Sequence, residues 1–204
     1  MHGLPIPLQT LDYLGVAVFA VTGALAAARS RHDLITFAAF AIMTGIGGGT
    51  LRDLLIGVPV FWVNGSGYIY VCLAAAGLVW LAGERPWRTR ALTWFDAIGL
   101  AAYAVLGAAK ALAAGATPPV AVVMGALTAT FGGIMRDLIA GQPSALLKRE
   151  IYVTAAVLAG TVFVVASTLG LEANIAALAG FVAGFGLRAG AVAFGWTLPG
   201  FART

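Results

Sequence analysis

The chain has 204 residues, of which 61% are hydrophobic and only 10% are charged, and its formal net charge is +4. Soluble domains contain about 25% charged residues because they must cover a large wet surface, so this composition excludes a soluble globular fold and indicates lipid as the main solvent. The positive charge does not indicate nucleic-acid binding. The Lys and Arg residues lie mostly in short loops between apolar runs, and no basic face or tail remains to follow phosphates.

Seven apolar runs predict seven membrane-spanning helices, since about 20 helical residues cross a hydrocarbon core. In chain order we place these helices at about 9–28, 34–57, 68–82, 94–114, 118–141, 149–169 and 172–193. The sequence therefore predicts an all-α integral membrane protein that forms one membrane domain over residues 1–204. We expect the first run to be retained rather than cleaved as a signal peptide, because no Lys or Arg precedes it and a similar segment recurs inside the chain.

The second half of the chain repeats the first at an offset of 84 residues without a gap. The matches include Gly48-Gly49 with Gly132-Gly133, Arg52-Asp53-Leu54 with Arg136-Asp137-Leu138, Gly57 and Pro59 with Gly141 and Pro143, and Tyr68 with Tyr152. Chance similarity between apolar helices gives scattered Ala and Leu matches and not these motifs in one register. We infer an internal duplication, with repeat one over 9–82, repeat two over 94–169 and the seventh helix, 172–193, outside it. Since each repeat has three helices, the two copies must be inverted relative to each other, as in many transport proteins.

The basic residues that follow helices 1, 3 and 5 and the middle of helix 7 all fall on one side of the membrane. They are Arg29, Arg31, Arg85, Arg88, Arg90, Lys148, Arg149, Arg188 and Arg203. The loops after helices 2, 4 and 6 contain no Lys or Arg. The positive-inside rule then predicts an N-terminus outside the cell and a C-terminus in the cytoplasm.

Arg52, Lys110 and Arg136 lie inside predicted spans, where a charge is costly and by default marks a transport pathway or a paired site. Each arginine precedes an aspartate and follows a glycine cluster; these are Asp53 and Asp137, and Gly47, Gly48 and Gly49 in repeat one and Gly132 and Gly133 in repeat two. Consecutive glycines weaken a helix by about 1 kcal/mol each. We therefore expect helices 2 and 5 to bend or break at the clusters, where freed carbonyls would face a cation path.

Several of these features have simpler explanations that the sequence leaves open. The glycines could serve close packing alone, and the Arg-Asp pairs could only pin the bend. Thr50 could cap a restarted helix. Lys110, whose counterpart is Ala26, could snorkel toward the interface or line the path. Asp12 and Asp96 are predicted to cap helices 1 and 4.

The sequence offers no catalytic or metal-binding arrangement. It has no nucleophile–base constellation and no Cys/His spacing typical of a metal site, and Cys72, His2 and His32 are isolated from one another. We therefore predict that the protein is not an enzyme and holds no metal or cofactor.

The doubled Gly-Gly-x-x-Arg-Asp-Leu-x-x-Gly-x-Pro pattern within a seven-helix chain resembles the prokaryotic branch of the trimeric intracellular cation (TRIC) channels. This family also has the label of a bacterial glycine transporter domain, and the resemblance covers nearly the whole chain. It implies a homotrimer in the prokaryotic inner membrane, with one pore per subunit between the inverted repeats. It also implies that K⁺, or Na⁺, is the permeant ion, that membrane lipid surrounds and can bind the protein, and that helices 2 and 5 kink at the glycine motifs.

The resemblance carries specific residues over by position. It implies hinge residues at Gly47, Gly48, Gly49, Gly132 and Gly133, and polar residues beside the pore at Arg52, Asp53, Arg136 and Asp137. We add Lys110 and the repeat-equivalent Thr44 and Thr128 as further polar candidates. Animal members have a lysine-centred lipid-binding motif where this chain reads Leu51-Arg52-Asp53-Leu54, so phosphoinositide regulation is not implied here.

Two functions remain open from the sequence. The first is a passive monovalent cation channel. The alternative is a secondary carrier for a small zwitterion such as glycine, because inverted repeats suit alternating access and an Arg-Asp pair could hold a carboxylate and an ammonium group. The chain lacks a Thr-Val-Gly-Tyr-Gly filter, so selectivity for K⁺ over Na⁺ does not follow from it.

Overall fold

The computed structural model describes residues 6–83, 88–148 and 150–199. Within these ranges the chain forms seven α-helices: α1 (Ile6–Arg29), α2 (Leu34–Leu55), α3 (Gly67–Leu81), α4 (Arg88–Ala113), α5 (Pro118–Ile139), α6 (Val153–Thr168) and α7 (Ala173–Phe194). A 3-10 turn, Ala145–Leu147, lies between α5 and α6. Four residues on which predictions were made, His2, Arg85, Arg149 and Arg203, lie outside the described residues.

The predicted fold class is confirmed, since each predicted helix has an observed counterpart in the same order. Three starting points were misplaced. The helices predicted from 9, 94 and 149 begin at Ile6, Arg88 and Val153. The last difference arises because the 3-10 turn and an isolated β-bridge at Glu150 precede α6.

Five helices, α1, α2, α4, α5 and α7, are long and apolar enough to cross a membrane. The third helix of each repeat is shorter, with 15 residues in α3 and 16 in α6. At 1.5 Å per residue these helices span only about 23 Å. In both repeats a non-helical connection precedes the short helix, so the two copies share this departure from a simple three-helix bundle.

The helices pack first within each repeat and then across the repeat interface. α1, α2 and α3 contact one another, and so do α4, α5 and α6, while α2 meets α5 and α1 meets α4 between the repeats. α7 packs against α4 and α6. Its Gly180 and Gly184 allow this close approach, because a Cβ at Gly184 would lie 2.5 Å from the Cβ of Ala159 on α6.

Candidate functional site

The two Arg-Asp pairs lie in the last turns of α2 and α5, and in each pair two guanidinium nitrogens approach one carboxylate oxygen. Nε and Nη2 of Arg52 lie 2.8 and 2.7 Å from Oδ1 of Asp53. Nε and Nη2 of Arg136 lie 2.9 and 2.8 Å from Oδ1 of Asp137. Both arginines are buried, so the adjacent carboxylate offsets a charge that would otherwise be very costly at this depth.

The second oxygen of each aspartate fixes the chain that leaves the helix. Oδ2 of Asp53 accepts a hydrogen bond from the backbone N–H of Phe61 at 3.0 Å. Oδ2 of Asp137 accepts one from the N–H of Ala145 at 3.2 Å. Because the two bonds join repeat-equivalent residues, each Arg-Asp pair anchors the connection that leads to the third helix of its repeat.

A second carboxylate comes from the first helix of each repeat. Oδ1 of Asp96 lies 2.6 Å from Nη1 of Arg136. Oδ2 of Asp12 lies 2.7 Å from Nζ of Lys110 and accepts a hydrogen bond from the Tyr68 hydroxyl at 3.1 Å. The prediction that these aspartates cap their helices is wrong, because α1 and α4 begin more than one turn earlier. Their carboxylates are buried and compensate the cations of Lys110 and Arg136 instead.

Lys110 breaks the symmetry between the two repeats, because its counterpart is Ala26. In repeat two, Arg136 contacts both aspartates of its repeat. In repeat one, Lys110 takes the carboxylate of Asp12, and the only carboxylate that Arg52 contacts among the described residues is the one that follows it. Nη1 of Arg52 consequently has no hydrogen-bond partner in the described part of the chain, although the side chain is fully buried.

The connection after α2 adds a second asymmetry. The ring centroid of Phe61 lies 5.8 Å from Cζ of Arg52 and 5.0 Å from Nζ of Lys110, so its π-face covers both cations. The counterpart of Phe61 is Ala145. Ala145 and Ala26 line a cavity of about 350 Å³ in repeat two. The cavity thus occupies, on one side of the pseudo-symmetric structure, the place that large side chains fill on the other.

Seven charged side chains line this cavity. Asp96, Arg136 and Asp137 form the buried cluster, Lys148, Glu150 and Arg188 form a second group, and Arg29 stands at the end of α1. The cavity also reaches exposed residues, Ser30 and Gln142 among them, which mark its mouth. We call the surface around this mouth, where α1 ends at Arg29, the basic face. The cavity therefore connects the basic face to the ion pair at the end of α5.

The glycine clusters do not break the helices. The α-helix continues through 47–49 in α2 and through 132–133 in α5, and ends only after the Arg-Asp pair. The expected break and the restart capped by Thr50 are therefore wrong. The hydroxyl of Thr50 instead donates to the carbonyl of Ile46 at 2.8 Å, one turn back in an uninterrupted helix. A bend within the continuous helices stays a prediction.

Two of the glycines allow α2 and α5 to cross in direct contact. A Cβ at Gly132 would lie 2.6 Å from the carbonyl oxygen of Thr44, and a Cβ at Gly48 would meet the carbonyl oxygen of Thr128 at still shorter range. These residues are equivalent in pairs, so the contact follows the symmetry of the duplication. Gly47 differs, because a Cβ there would meet no atom of the described residues within 4 Å.

Thr44 and Thr128, predicted beside the pore, lie buried at this crossing. Each hydroxyl is covered by a glycine from the first helix of its repeat. A Cβ at Gly23 would lie 2.7 Å from Oγ1 of Thr44, and one at Gly107 would lie 2.6 Å from Oγ1 of Thr128. The two hydroxyls are thus enclosed by helix contacts at the centre of the repeat interface.

The sequence did not predict that Arg188 is buried and paired. This residue was used there only as one of the basic residues predicted to fall on the cytoplasmic side. Its Nη2 lies 2.9 Å from Oε2 of Glu150, its Nη1 donates to the carbonyl of Ile151 at 3.1 Å, and Cζ lies 5.2 Å from the ring centroid of Tyr152. One signal was available in the sequence, because an arginine inside the apolar seventh helix is as unusual as Arg52 in the second.

Comparisons with known proteins identify the family. The family model described as "Glycine transporter" matches the chain twice, over residues 9–84 and 93–168. A UPF0126 membrane protein of Vibrio cholerae is 37% identical over 203 residues, covering 97% of this chain and 84% of that protein. The UPF0126 inner membrane protein YadS of Escherichia coli strain K12 is 36% identical, covering 94% and 95%.

A solved structure gives the same relationship in three dimensions. The TRIC trimeric intracellular cation channel orthologue from Rhodobacter sphaeroides is 44% identical, with a TM-score of 0.89, and the match covers 93% of this chain and 99% of that one. The chain belongs to this family of membrane proteins, which carries the glycine transporter description and includes the prokaryotic TRIC proteins. The resemblance inferred from the doubled motif is thereby confirmed, and the solved relative is a channel rather than an enzyme.

Proposed function

We propose that this protein is a monovalent cation channel for K⁺, with Na⁺ as a second permeant ion, and that each subunit holds its own path between the two repeats. The observation that carries the proposal is the cavity of about 350 Å³ that leads from the basic face to the buried Asp96–Arg136–Asp137 cluster. A permeating cation can contact three carboxylates on the cavity lining, which lie beside four basic side chains: Asp96, Asp137 and Glu150, and Arg29, Arg136, Lys148 and Arg188. The likeness to a cation channel orthologue supports the same conclusion.

To reach the other side of the membrane, the path would have to pass the crossing of α2 and α5, where the two helices are in contact, so conduction requires them to separate there. Arg52 and Arg136 each follow a crossing glycine by four residues, which is about 6 Å along a helix. Because the repeats are inverted, the two ion-pair clusters lie on opposite sides of the crossing. A cation would therefore pass one cluster, the glycine contact and the other cluster in turn, over a distance of roughly 12 Å.

Side chains also occupy the far end of this path. Phe61 and Lys110 fill the space that corresponds to the cavity, and Lys110 is held by Asp12. Opening would require Lys110 to leave this carboxylate. If its charge moves through the full field, voltage contributes about 2.3 kcal/mol per 100 mV, which is enough to bias a two-state side-chain arrangement.

We place the protein in the prokaryotic inner membrane, with the basic face in the cytoplasm and the N-terminus outside. The distribution of Arg29 and Lys148 supports this orientation through the positive-inside rule, and the inner-membrane relative supports the location. We also propose a homotrimer surrounded by membrane lipid, in keeping with the trimeric orthologue.

The experiment is recording from the purified protein in planar bilayers, with KCl gradients that give the permeability of cation against anion. We expect unitary currents whose reversal potential lies near the equilibrium potential of K⁺ and far from that of Cl⁻. Ala145→Phe should reduce these currents strongly, because it places in repeat two the ring that fills the equivalent space in repeat one. Leu147→Phe, on the exposed side of the same turn, is the matched control and should conduct normally.

A glycine carrier is the second candidate, and the family description favours it. A carrier must reorient its repeats for each substrate, so it would show saturable counterflow of labelled glycine in liposomes without unitary currents. Glycine counterflow in the absence of any current would replace the channel proposal with the carrier.

A further inference from the structure

The segment that follows α7 folds back onto the connection before α6. Gly195 ends the helix with a φ of 70°, and two residues later Thr197 forms an antiparallel β-bridge with Glu150. Between them, the ring of Trp196 lies against the backbone of α7, since a Cβ at Gly190 would be 2.6 Å from the Cζ3 atom of Trp196. We call residues 195–197 the C-terminal strap.

The side chain of the bridged residue is held by the same helix. Nη2 of Arg188 lies 2.9 Å from Oε2 of Glu150, while Nζ of Lys148 lies 3.9 Å from Oε1. The Arg188 side chain is only 6% exposed, whereas that of Glu150 is 37% exposed. A buried guanidinium thus holds the carboxylate of Glu150 and a backbone bridge holds its main chain, while water can still reach the carboxylate.

This arrangement belongs to repeat two alone. The counterparts of Glu150 and Lys148 in repeat one are Ser66 and Asn64, and α7 has no counterpart in the duplication. Glu150, Lys148 and Arg188 all line the cavity near its mouth on the basic face. Among the described residues, repeat one therefore has no equivalent of this charged mouth, and α7 supplies the arginine that holds Glu150 in place.

We propose that Arg188 and the C-terminal strap are positioning elements for Glu150, and that the Glu150 carboxylate sets how readily cations enter the cavity from the basic face. The second part of this proposal rests on the proposed channel function. A unit charge about 8 Å from an ion in a wet mouth changes the local ion concentration by roughly twofold. The effect is screened by salt, because the Debye length is about 10 Å at 0.1 M and about 3 Å at 1 M.

The test uses patches from giant spheroplasts, in which all channels have one orientation. With Glu150→Gln, the current carried by cations entering from the basic face should fall about 1.5-fold at 0.1 M salt, where screening reduces the twofold effect, and approach the wild-type value at 1 M. Trp196→Ala changes no charge and lies outside the cavity, yet it should lower the same current. The double variant should show no further fall. Leu198→Ala, just beyond the strap, is the matched control and should behave as wild type.

Two results would overturn the proposal. A normal current in Glu150→Gln removes Glu150 as an entry determinant. A normal current in Trp196→Ala alongside a reduced one in Glu150→Gln removes the strap as its positioning element.

A second measurement does not depend on conduction. In a Cys72→Ala background, the thiol of Lys148→Cys should react faster with a soluble reagent when Trp196→Ala loosens the connection. If the wild type carries no current, the channel function and the entry role fail together, and an unchanged thiol rate would also refute the positioning role.

Discussion

Gly48→Ala and Gly132→Ala should destabilise the protein, whereas Gly47→Ala in the same cluster should not. The first two glycines lie where α2 and α5 touch, and an added Cβ would press on the backbone carbonyls of Thr128 and Thr44. Backbone cannot rotate away as a flexible side chain can, so the helices must separate. A Cβ at Gly47 would meet no described atom within 4 Å, although the local sequence is the same Gly-Gly run.

The magnitude follows from two opposing terms. Replacing glycine by alanine within a helix gains about 1 kcal/mol of helix propensity. Overpacking a close contact costs about 1–3 kcal/mol. Gly48→Ala should therefore lose up to about 2 kcal/mol in the free energy of unfolding, while Gly47→Ala should gain up to about 1 kcal/mol. The comparison between the two neighbouring variants is sharper than either value alone, since both share the propensity term.

The assay is reversible unfolding of the purified protein in mixed micelles of increasing SDS content, followed by the loss of helical signal. Equal stability of the Gly47 and Gly48 variants would refute direct contact between α2 and α5 at the glycines. The same pair of variants tests the predicted bend. A loss of conduction in Gly47→Ala without any loss of stability would show that bending at the cluster contributes to transport.

Two further predictions concern charge and orientation. Lys110→Ala leaves the buried carboxylate of Asp12 without its cation and should cost about 3–5 kcal/mol in the same SDS assay, while adding Asp12→Asn should recover much of the loss; equal instability of the single and double variants would contradict the pairing. In a Cys72→Ala background, a cysteine at Asn64 should react with an impermeant thiol reagent applied outside whole cells, and one at Ser144 should not; the reverse pattern would invert the proposed topology.

Much of the fold was predictable because duplication leaves a signal that does not depend on packing. The register that aligns Arg52 with Arg136 also gave the three-helix unit, its inversion and the aspartates that follow the arginines. The same register aligned Asp12 with Asp96 and Tyr68 with Tyr152. The role of the two aspartates beside Lys110 and Arg136 was missed because the starts of α1 and α4 were placed too late, which made internal residues look like helix caps.

The glycine clusters show where local propensity misleads. Considered alone, three consecutive glycines weaken a helix enough to predict a break at 47–49. In the folded chain the helix is supported by neighbours that can approach only because a Cβ is missing, as the contacts at Gly48 and Gly132 show. Such support depends on which helices cross and on the position along each helix at which they touch. That information belongs to the tertiary structure, and sequence periodicity does not contain it.

The differences between the two repeats decide more about function than the motif they share. The Arg-Asp pairs, the hydrogen bonds to the following connections and the glycine–threonine contacts occur in both copies, so they cannot by themselves make one side of the protein open and the other closed. The cavity exists where Ala26 and Ala145 replace Lys110 and Phe61. Exchanging these residues between the repeats should move the cavity to the opposite face while leaving the shared framework intact. In the proposed channel, the duplicated framework therefore defines where the path runs, and the two unequal positions determine at which end the cavity lies.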